Sequence, residues 1–130
     1  MLRQHEIEIR VRYNETDPMG FLHHANYFTY FEIGRTELLR ASGGSYRRME
    51  ELGLLVVVVK AECRFRQPAK YDDVLTLHTT VTRASAAKIE HEYHLLRDGQ
   101  SLATAHVTLA VVNREGKVCR VPDWMQFDDP

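Results

Sequence analysis

Residues 13–27, YNETDPMGFLHHANY, concentrate side chains capable of acid–base or nucleophilic chemistry directly before an aromatic run. The segment holds two acids, Glu15 and Asp17, and two adjacent histidines, His23 and His24. A carboxylate can attack a carbonyl carbon or take a proton from water, and an imidazole can position the water or the substrate. This segment is therefore the first candidate for an active site.

Each of these residues also has an ordinary structural explanation. Asp17 before Pro18 is a common turn pair, the histidines could be satisfied by backbone groups at a helix entry, and Asn26 could cap a helix end. A metal site is a further alternative, but adjacent histidines usually point in different directions, and the chain has no HxH or HExxH pattern. GxSxG is also absent, so a serine triad has no support. We expect no bound metal.

The position of this polar segment relative to the next element is more informative. The loop that carries Asp17 and the histidines leads directly into the N-terminus of a buried helix. Such a helix end offers unpaired backbone N–H groups and a partial positive charge, which suit an oxyanion. An acid beside those donors suffices for acyl transfer to water without a serine or a metal.

The chain around this segment reads as one helix and several strands. Residues 5–13 alternate apolar and polar side chains, which predicts a half-buried strand. The helical pattern runs over 25–41, and we expect its aromatic first half to be buried nearly all round. That half carries Tyr27, Phe28, Tyr30, Phe31 and Ile33.

A short helix at about 45–52 and four strands at 54–66, 73–83, 87–97 and 101–113 follow. Asp98-Gly99 between the last two strands is a hairpin signal. The sheet needs cover for its apolar face, and the helix at 25–41 is the only large apolar object available. We therefore predict an α+β fold in one domain, residues 1–130, with an antiparallel sheet wrapped around a long central helix.

Composition argues against several other classes of protein. A net charge of -1 and a pI near 6.6 give no reason to expect nucleic acid or an anionic membrane as partner. Cys63 and Cys119 form no CxxC pattern, which suits a reducing compartment. The N-terminus has no apolar signal region, and no run approaches the ~18 apolar residues of a membrane span. We expect a cytoplasmic protein.

One family shares these motifs. The pattern Tyr13-x-x-Thr16-Asp17-x-x-Gly20-x-x-x-His24-Ala25-Asn26-Tyr27, continuing to Arg40, resembles the 4-hydroxybenzoyl-CoA thioesterase-like family of hotdog-fold acyl-CoA thioesterases. It is most similar to the bacterial branch typified by the Tol-Pal-associated thioesterase. A second block, Phe65-x-x-Pro68-Ala69-x-x-Asp72-Asp73-x-Leu75, also matches. The hotdog fold, a long helix wrapped by an antiparallel sheet, agrees with the order of elements above.

The resemblance implies hydrolysis of an acyl-CoA at Asp17, acting as nucleophile or as general base on water. It implies that His24 assists, that Tyr13 lines the site, and that backbone N–H groups around His24 and Ala25 polarise the thioester carbonyl. Ala25 and Asn26 are the expected substrate-binding positions on the helix. His23 departs from the family pattern, which leaves open which histidine faces the substrate.

The resemblance also implies partners. Coenzyme A is part of the substrate, no other cofactor is expected, and the chain should form at least a dimer, and commonly a tetramer, because the pantetheine arm passes between two subunits. Arg64, Arg66 and Lys70 are candidates for binding the nucleotide phosphates, although solvated charges at a sheet edge would look the same. The acyl group remains open.

Two other functions remain as alternatives. A hotdog hydratase or dehydratase would pair a loop histidine with an acid on the central helix, whereas here the acid, Asp17, precedes the histidine. A non-catalytic acyl-CoA-binding module would need no Asp17. Loss of all hydrolysis with retained acyl-CoA binding would favour the module.

Overall fold

The computed structural model describes residues 1–127, which form a six-stranded antiparallel sheet and one long helix. The elements are β1 (Gln4–Arg10), α1 (His24–Ala41), α2 (Tyr46–Glu51), β2 (Leu55–Phe65), β3 (Val74–Ala84), β4 (Ile89–Arg97), β5 (Gln100–Val112) and β6 (Val118–Cys119). The strand order is β1-β3-β4-β5-β2, and the short β6 pairs with the end of β5. The predicted α+β class and element order are confirmed.

The predicted boundaries differ from the structure mainly at β1. The alternating pattern continues to Tyr13, but the strand ends at Arg10, and a 3-10 turn covers Tyr13–Glu15. The Tyr13 side chain is consequently 77% exposed instead of facing the core. The hairpin prediction at Asp98-Gly99 is confirmed, since both residues have positive φ, as a tight two-residue turn requires.

The expectation that the first half of α1 is buried nearly all round is wrong. Tyr27, Tyr30 and Phe31 are buried against the sheet, where the Phe31 ring stacks on Tyr93 at 4.7 Å. Phe28 and Ile33 remain 37% and 40% exposed. The reason is geometric: one curved sheet covers only one side of a helix, and residues 1–127 supply no second layer.

Strand β2 is an open edge of the sheet. It pairs with β5 alone, and its valines face solvent, with Val58 51% and Val59 59% exposed. An exposed apolar edge strand offers unpaired backbone groups to another chain.

Gly34 marks the closest approach of α1 to the sheet. A Cβ at this position would lie 2.4 Å from Oγ1 of Thr79 and 2.7 Å from Cδ2 of Leu77. Both neighbours are buried on β3, so they have little room to move. A hydrogen in place of a side chain therefore sets the distance between helix and sheet.

We expect Gly34→Ala to destabilise the protein, although alanine is the better helix former. Overpacking at such a contact should lower the free energy of unfolding by about 1–3 kcal/mol, which urea denaturation would measure. Thr29→Ala, at an exposed position of the same helix, serves as control and should stay within about 0.5 kcal/mol of wild type. Equal stability of both variants would show that the helix can move away from the sheet at little cost.

Candidate active site

The polar segment folds into a closed loop that ends at α1. An isolated antiparallel bridge joins Thr16 to Leu22, and the Asp17 amide donates to the Phe21 carbonyl at 2.7 Å. The His23 amide donates to the Glu15 carbonyl at 2.9 Å. Asp17 therefore lies next to the bridged residue Thr16, and the opposite bridged residue, Leu22, is two residues before the start of the helix.

Glu15 anchors this loop on the central helix. Its side chain is buried, and Oε1 accepts hydrogen bonds from the Tyr30 hydroxyl at 2.7 Å and from the Arg12 amide at 2.8 Å. Oε2 lies 3.2 Å from the Arg12 guanidinium. The Glu15 carbonyl also accepts from the Asn26 side-chain amide at 2.8 Å. One residue thus ties the loop to α1 through both its side chain and its backbone.

The Glu15 carboxylate is ionised in this environment. Burial by itself raises the pKa of Glu15, but hydrogen bonds from the Arg12 amide, the Tyr30 hydroxyl and the Arg12 side chain outweigh burial and lower it below its ordinary value. Burial, together with the hydrogen bond to Glu15, raises the pKa of Tyr30. Tyr30 is therefore a protonated donor at neutral pH.

Asp17 is held by the backbone of its own turn. Oδ1 accepts from the Met19 amide at 2.9 Å and from the Phe21 amide at 3.1 Å. Oδ2 accepts no hydrogen bond from residues 1–127, and the side chain is partly exposed. The turn fixes the orientation of the carboxylate and leaves one oxygen free to react.

The start of α1 divides the two histidines between different positions. Nδ1 of His23 accepts from the Ala25 amide at 3.1 Å, so His23 is the N-cap of the helix. The His24 ring stacks on His23 at 4.2 Å and is exposed. The suggestion that Asn26 caps a helix end is wrong, because its side chain bonds the Glu15 carbonyl on the loop instead.

The cap also decides which helix amides are free. The Ala25 amide is used by His23, and the Asn26 amide donates to the His23 carbonyl at 2.9 Å. The His24 amide has no acceptor within the described part of the chain. Of the two expected oxyanion donors, His24 is thus the one left open at the positive end of the helix.

The second sequence block forms the turn beside the loop. The Leu22 amide donates to the Ala69 carbonyl at 2.8 Å, and Phe21 forms a bridge with Lys70. Asp73 closes the turn by accepting from the Lys70 amide at 2.8 Å and from Arg97 on β4 at 2.7 Å. Burial raises the pKa of Asp73, but these two partners outweigh it and lower the pKa.

The three phosphate-binding candidates lie in different places. Lys70 sits on the segment that is hydrogen-bonded to the loop, whereas Arg64 points to the outer face of the sheet and Arg66 follows β2. All three are exposed, and none forms an ion pair with another described residue. Tyr13 stands away from the core, with its ring edge-on to Tyr71 at 5.4 Å. Of the three cations, only Lys70 lies on a segment whose backbone contacts the loop that carries Asp17, through its bridge with Phe21.

Sequence reasoning missed the Glu15–Tyr30 pair. Arg12 and Glu15 are neighbours within one turn, but Tyr30 lies 15 residues further along the chain. No local pattern distinguishes this buried glutamate from the solvated acids around it. Its only signal is its position inside the polar segment, among the side chains capable of acid–base chemistry.

Other kinds of site find little geometric support. Burial raises the pKa of the Cys63 thiol to about 11, so this cysteine is a poor nucleophile at neutral pH. Among residues 1–127, no three His, Cys, Asp or Glu side chains are grouped to hold a metal ion. Within the same range, no helix has both the length and the apolar character needed to cross a membrane.

Comparisons with known proteins agree on one family. Residues 11–127 match the model of the thioesterase-like superfamily. An acyl-CoA thioesterase of Haemophilus influenzae is 36% identical over 81% of this chain and 78% of its own length. Two crystal structures are also similar. A probable thioesterase from Bartonella henselae has 35% identity and a TM-score of 0.87, over 92% of this chain and 99% of that one. A DHNA-CoA thioesterase from Staphylococcus aureus has 28% identity and a TM-score of 0.88, over 90% of this chain and 80% of that one. The predicted hotdog fold is confirmed.

Glu15→Gln should test whether the loop depends on this carboxylate. The variant keeps the shape but loses the charge, and we expect the free energy of unfolding to fall by about 1–3 kcal/mol near neutral pH. Because folding lowers the pKa below the ordinary 4.5, this stabilisation is present above the unfolded-state pKa. It is lost as the pH falls through the folded-state pKa. The difference between wild type and variant should therefore shrink in acid.

Urea denaturation at neutral pH and at about pH 3.5 would measure both effects, the acid value lying below the ordinary glutamate pKa. The exposed Glu115→Gln is the matched control and should change stability by less than about 0.5 kcal/mol. A difference between wild type and Glu15→Gln that is the same at both pH values would contradict the ionised state assigned to Glu15.

Proposed function

Because the chain belongs to the thioesterase-like superfamily, we propose that it hydrolyses an acyl-CoA to a carboxylic acid and free coenzyme A. The expected enzyme class, a thioester hydrolase, is confirmed by its named relatives. The observation that supports the proposed site is the closed loop, which presents a free carboxylate oxygen of Asp17 beside a helix start with an open amide.

The reaction needs two tasks from this site. The thioester carbonyl oxygen gains negative charge as the carbonyl carbon is attacked, and the His24 amide with the positive helix end stabilises that charge. Asp17 either takes a proton from the attacking water or attacks the carbon itself to form an acyl-aspartate that water then cleaves. In both routes the C–S bond breaks, coenzyme A leaves as a thiol, and water supplies the oxygen of the acid.

The two histidines have separate roles in this proposal. His23 holds the helix start through its bond with the Ala25 amide. His24 is exposed and has no hydrogen bond from its ring within residues 1–127, so it is the imidazole free to position water or substrate. Lys70 is the phosphate-binding candidate nearest the loop. By the resemblance, Arg64 and Arg66 are the other candidates for binding the nucleotide phosphates, and Tyr13 lines the site. Ala25 and Asn26 are its substrate-binding positions on the helix.

The hydratase alternative is disfavoured by the acids on α1. Glu32 forms an ion pair with Arg35 at 3.9 Å, and Glu37 pairs with Arg40. Among the described residues, neither acid forms a hydrogen bond or an ion pair with His23 or His24. The finer placement, in the branch typified by the Tol-Pal-associated thioesterase, rests on the motif at 13–40. A cytoplasmic location stays our prediction.

We also propose that the enzyme works as an oligomer assembled through β2. The edge strand exposes Val58 and Val59, and antiparallel pairing of two β2 edges would continue the sheet across the interface. Association would also cover apolar surface that one chain leaves open. A tetramer would need a second contact surface.

Asp17→Asn should lower kcat by at least ~100-fold on whichever acyl-CoA wild type hydrolyses, because it removes the base or nucleophile. Thiol release from a panel of short, long and aromatic acyl-CoAs would show both the activity and the substrate class. Asp123→Asn makes the same chemical change at an exposed ion pair with Arg120 and should leave kcat unchanged. Equal rates for wild type and Asp17→Asn would remove Asp17 from the mechanism.

Val59→Lys should separate the subunits, because it places charges where two β2 edges would meet. We expect the mass measured by light scattering to fall to that of one chain and the activity to fall with it. Val118→Lys, at another exposed valine, is the control and should change neither. A monomeric wild-type protein with full activity would contradict assembly through β2.

A further inference from the structure

The turn between β2 and β3 carries an ion pair that is largely shielded from solvent. Nη1 of Arg97, at the end of β4, lies 2.7 Å from Oδ2 of Asp73, and the two side chains are 25% and 23% exposed. Within residues 1–127, every other pair of a carboxylate with arginine or lysine has at least one partner that is more exposed. Water and salt screen a shielded pair less than a surface pair, so this contact can hold two elements together.

Asp73 and Arg97 fix the turn at 68–73. Oδ2 of Asp73 accepts from the Lys70 amide at 2.8 Å as well as from Arg97, and the Asp73 amide donates to the Lys70 carbonyl at 3.1 Å. Nη1 of Arg97 also donates to the Pro68 carbonyl at 3.2 Å. In the described part of the chain, the two bonds of Arg97 are the hydrogen bonds that join this turn to β4. The position of the turn against β4 therefore depends on one guanidinium.

The turn is connected in the same way to the loop of the proposed site. Lys70 forms an antiparallel bridge with Phe21. Phe21 in turn orients Asp17, because its amide donates to Oδ1 of Asp17 at 3.1 Å and its carbonyl accepts from the Asp17 amide at 2.7 Å. A continuous series of contacts thus links the sheet to the reacting carboxylate: Arg97, Asp73, Lys70, Phe21 and Asp17.

Each arm of the loop has its own anchor. Glu15 holds the first arm on α1 through the Tyr30 hydroxyl. The second arm contains Phe21, which is one of the two amide donors to Oδ1 of Asp17. The other donor, the Met19 amide, belongs to the Asp17 turn itself and moves with it. The orientation of the carboxylate relative to the rest of the protein therefore depends on how the second arm is held.

We propose that Arg97 and Asp73 are positioning residues for Asp17. They hold its carboxylate in place relative to the sheet through the backbone contacts of the turn and the loop. The inference rests on the proposed function, in which Asp17 is the nucleophile or the general base. Arg97 and Asp73 act on the reaction only through the geometry of that carboxylate.

The proposed reaction is sensitive to this kind of positioning. The reacting atoms must come within about 3–3.5 Å in the correct alignment, and a displacement of about 1 Å can lower the rate by roughly 100-fold. The Asp17 side chain is partly exposed, so its orientation depends on hydrogen bonds more than on packing. A looser second arm should therefore lower kcat and leave the binding of the substrate nearly unchanged.

Lys70 offers a second interpretation of the same contacts, because it is a candidate for binding the nucleotide phosphates. A pair that served only this purpose would affect the KM of acyl-CoA. The structure favours Asp17, since the Asp73 carboxylate contacts the Lys70 amide, whereas the Lys70 side chain is exposed. A flexible four-carbon stem separates the backbone of a lysine from its charge, so fixing the backbone fixes the ammonium only loosely.

Arg97→Ala is the first test, on an acyl-CoA that wild type hydrolyses and on the matching acyl-pantetheine, which lacks the nucleotide phosphates. We expect kcat to fall by roughly 10- to 100-fold on both substrates, with KM changed by less than about threefold. Arg97→Lys keeps a cation beside Asp73 and should recover most of the lost kcat. Arg120→Ala removes an exposed ion pair with Asp123 and should match wild type.

Combination with Asp17→Asn gives the sharper kinetic test. A positioning residue has nothing left to position once the reacting group is replaced. In the Asp17→Asn background, Arg97→Ala should therefore lower kcat by less than about twofold, whereas independent effects would multiply. Asp73→Ala should likewise add little to Arg97→Ala, because both residues belong to one series of contacts.

Hydrogen exchange measures the same series of contacts without turnover. The amides of Asp17, Phe21 and Leu22 are all hydrogen-bonded. We expect the segment 17–22 to exchange severalfold faster in Arg97→Ala than in wild type, because the second arm opens more often. Arg120→Ala should exchange like wild type over this segment. Arg97→Gln, which has a shorter donor side chain without the charge, replaces Arg97→Ala in every measurement if the alanine variant does not fold.

Three outcomes would overturn the proposal. These are a wild-type kcat in folded Arg97→Ala, a rise in KM that is confined to acyl-CoA, and unchanged exchange over 17–22. The proposed function fails separately: an undiminished kcat in Asp17→Asn would remove the proposed site and this inference with it. A loss of kcat in Asp17→Asn alone would leave the proposed function standing and refute the positioning roles. If wild type hydrolyses no acyl-CoA, the exchange over 17–22 decides between a held and an unheld loop.

Discussion

A buried carboxylate that must keep its hydrogen bonds organises the loop that carries Asp17. Glu15 is 7% exposed and ionised, so moving the loop away from α1 would take the Tyr30 hydroxyl away from a buried carboxylate. Its partners come from the loop, Arg12, and from the helix, Tyr30. Asp17 lies two residues after Glu15 in the same loop, and the bridge between Thr16 and Leu22 closes that loop. The position of Asp17 therefore follows from that of Glu15.

The second constraint is that one sheet cannot cover a helix on all sides. Residues of α1 that point to the sheet are buried, whereas Phe28 and Ile33 on its other side are exposed. The same incompleteness appears at β2, an edge strand rich in valine. Exposed apolar surface of this kind usually marks contact with another chain.

The two faces of the sheet carry different kinds of side chain because side chains alternate along a strand. On β4, Tyr93 points inward and stacks on Phe31, whereas its neighbour His94 points to the outer face. A slip of one residue in the register would exchange these positions and bury the imidazole. The packing of the core therefore also determines which charges appear together on the outer face.

Periodicity and turn residues in the sequence determined the elements and their order, because hydrophobic pattern and Gly or Pro act over a few residues. The motif at 13–27 likewise located the polar loop and the helix start. Only the tertiary structure decided that Glu15 meets Tyr30, that Asp73 meets Arg97, and that His23 caps the helix while His24 stays free. The first two contacts join residues that are far apart in the sequence, and the cap depends on the direction of a side chain. Local spacing encodes neither of these properties. The apolar pattern of α1 predicts a helix that is enclosed on all sides, because the pattern shows only which residues are apolar. The extent of the sheet decides which of those residues are covered.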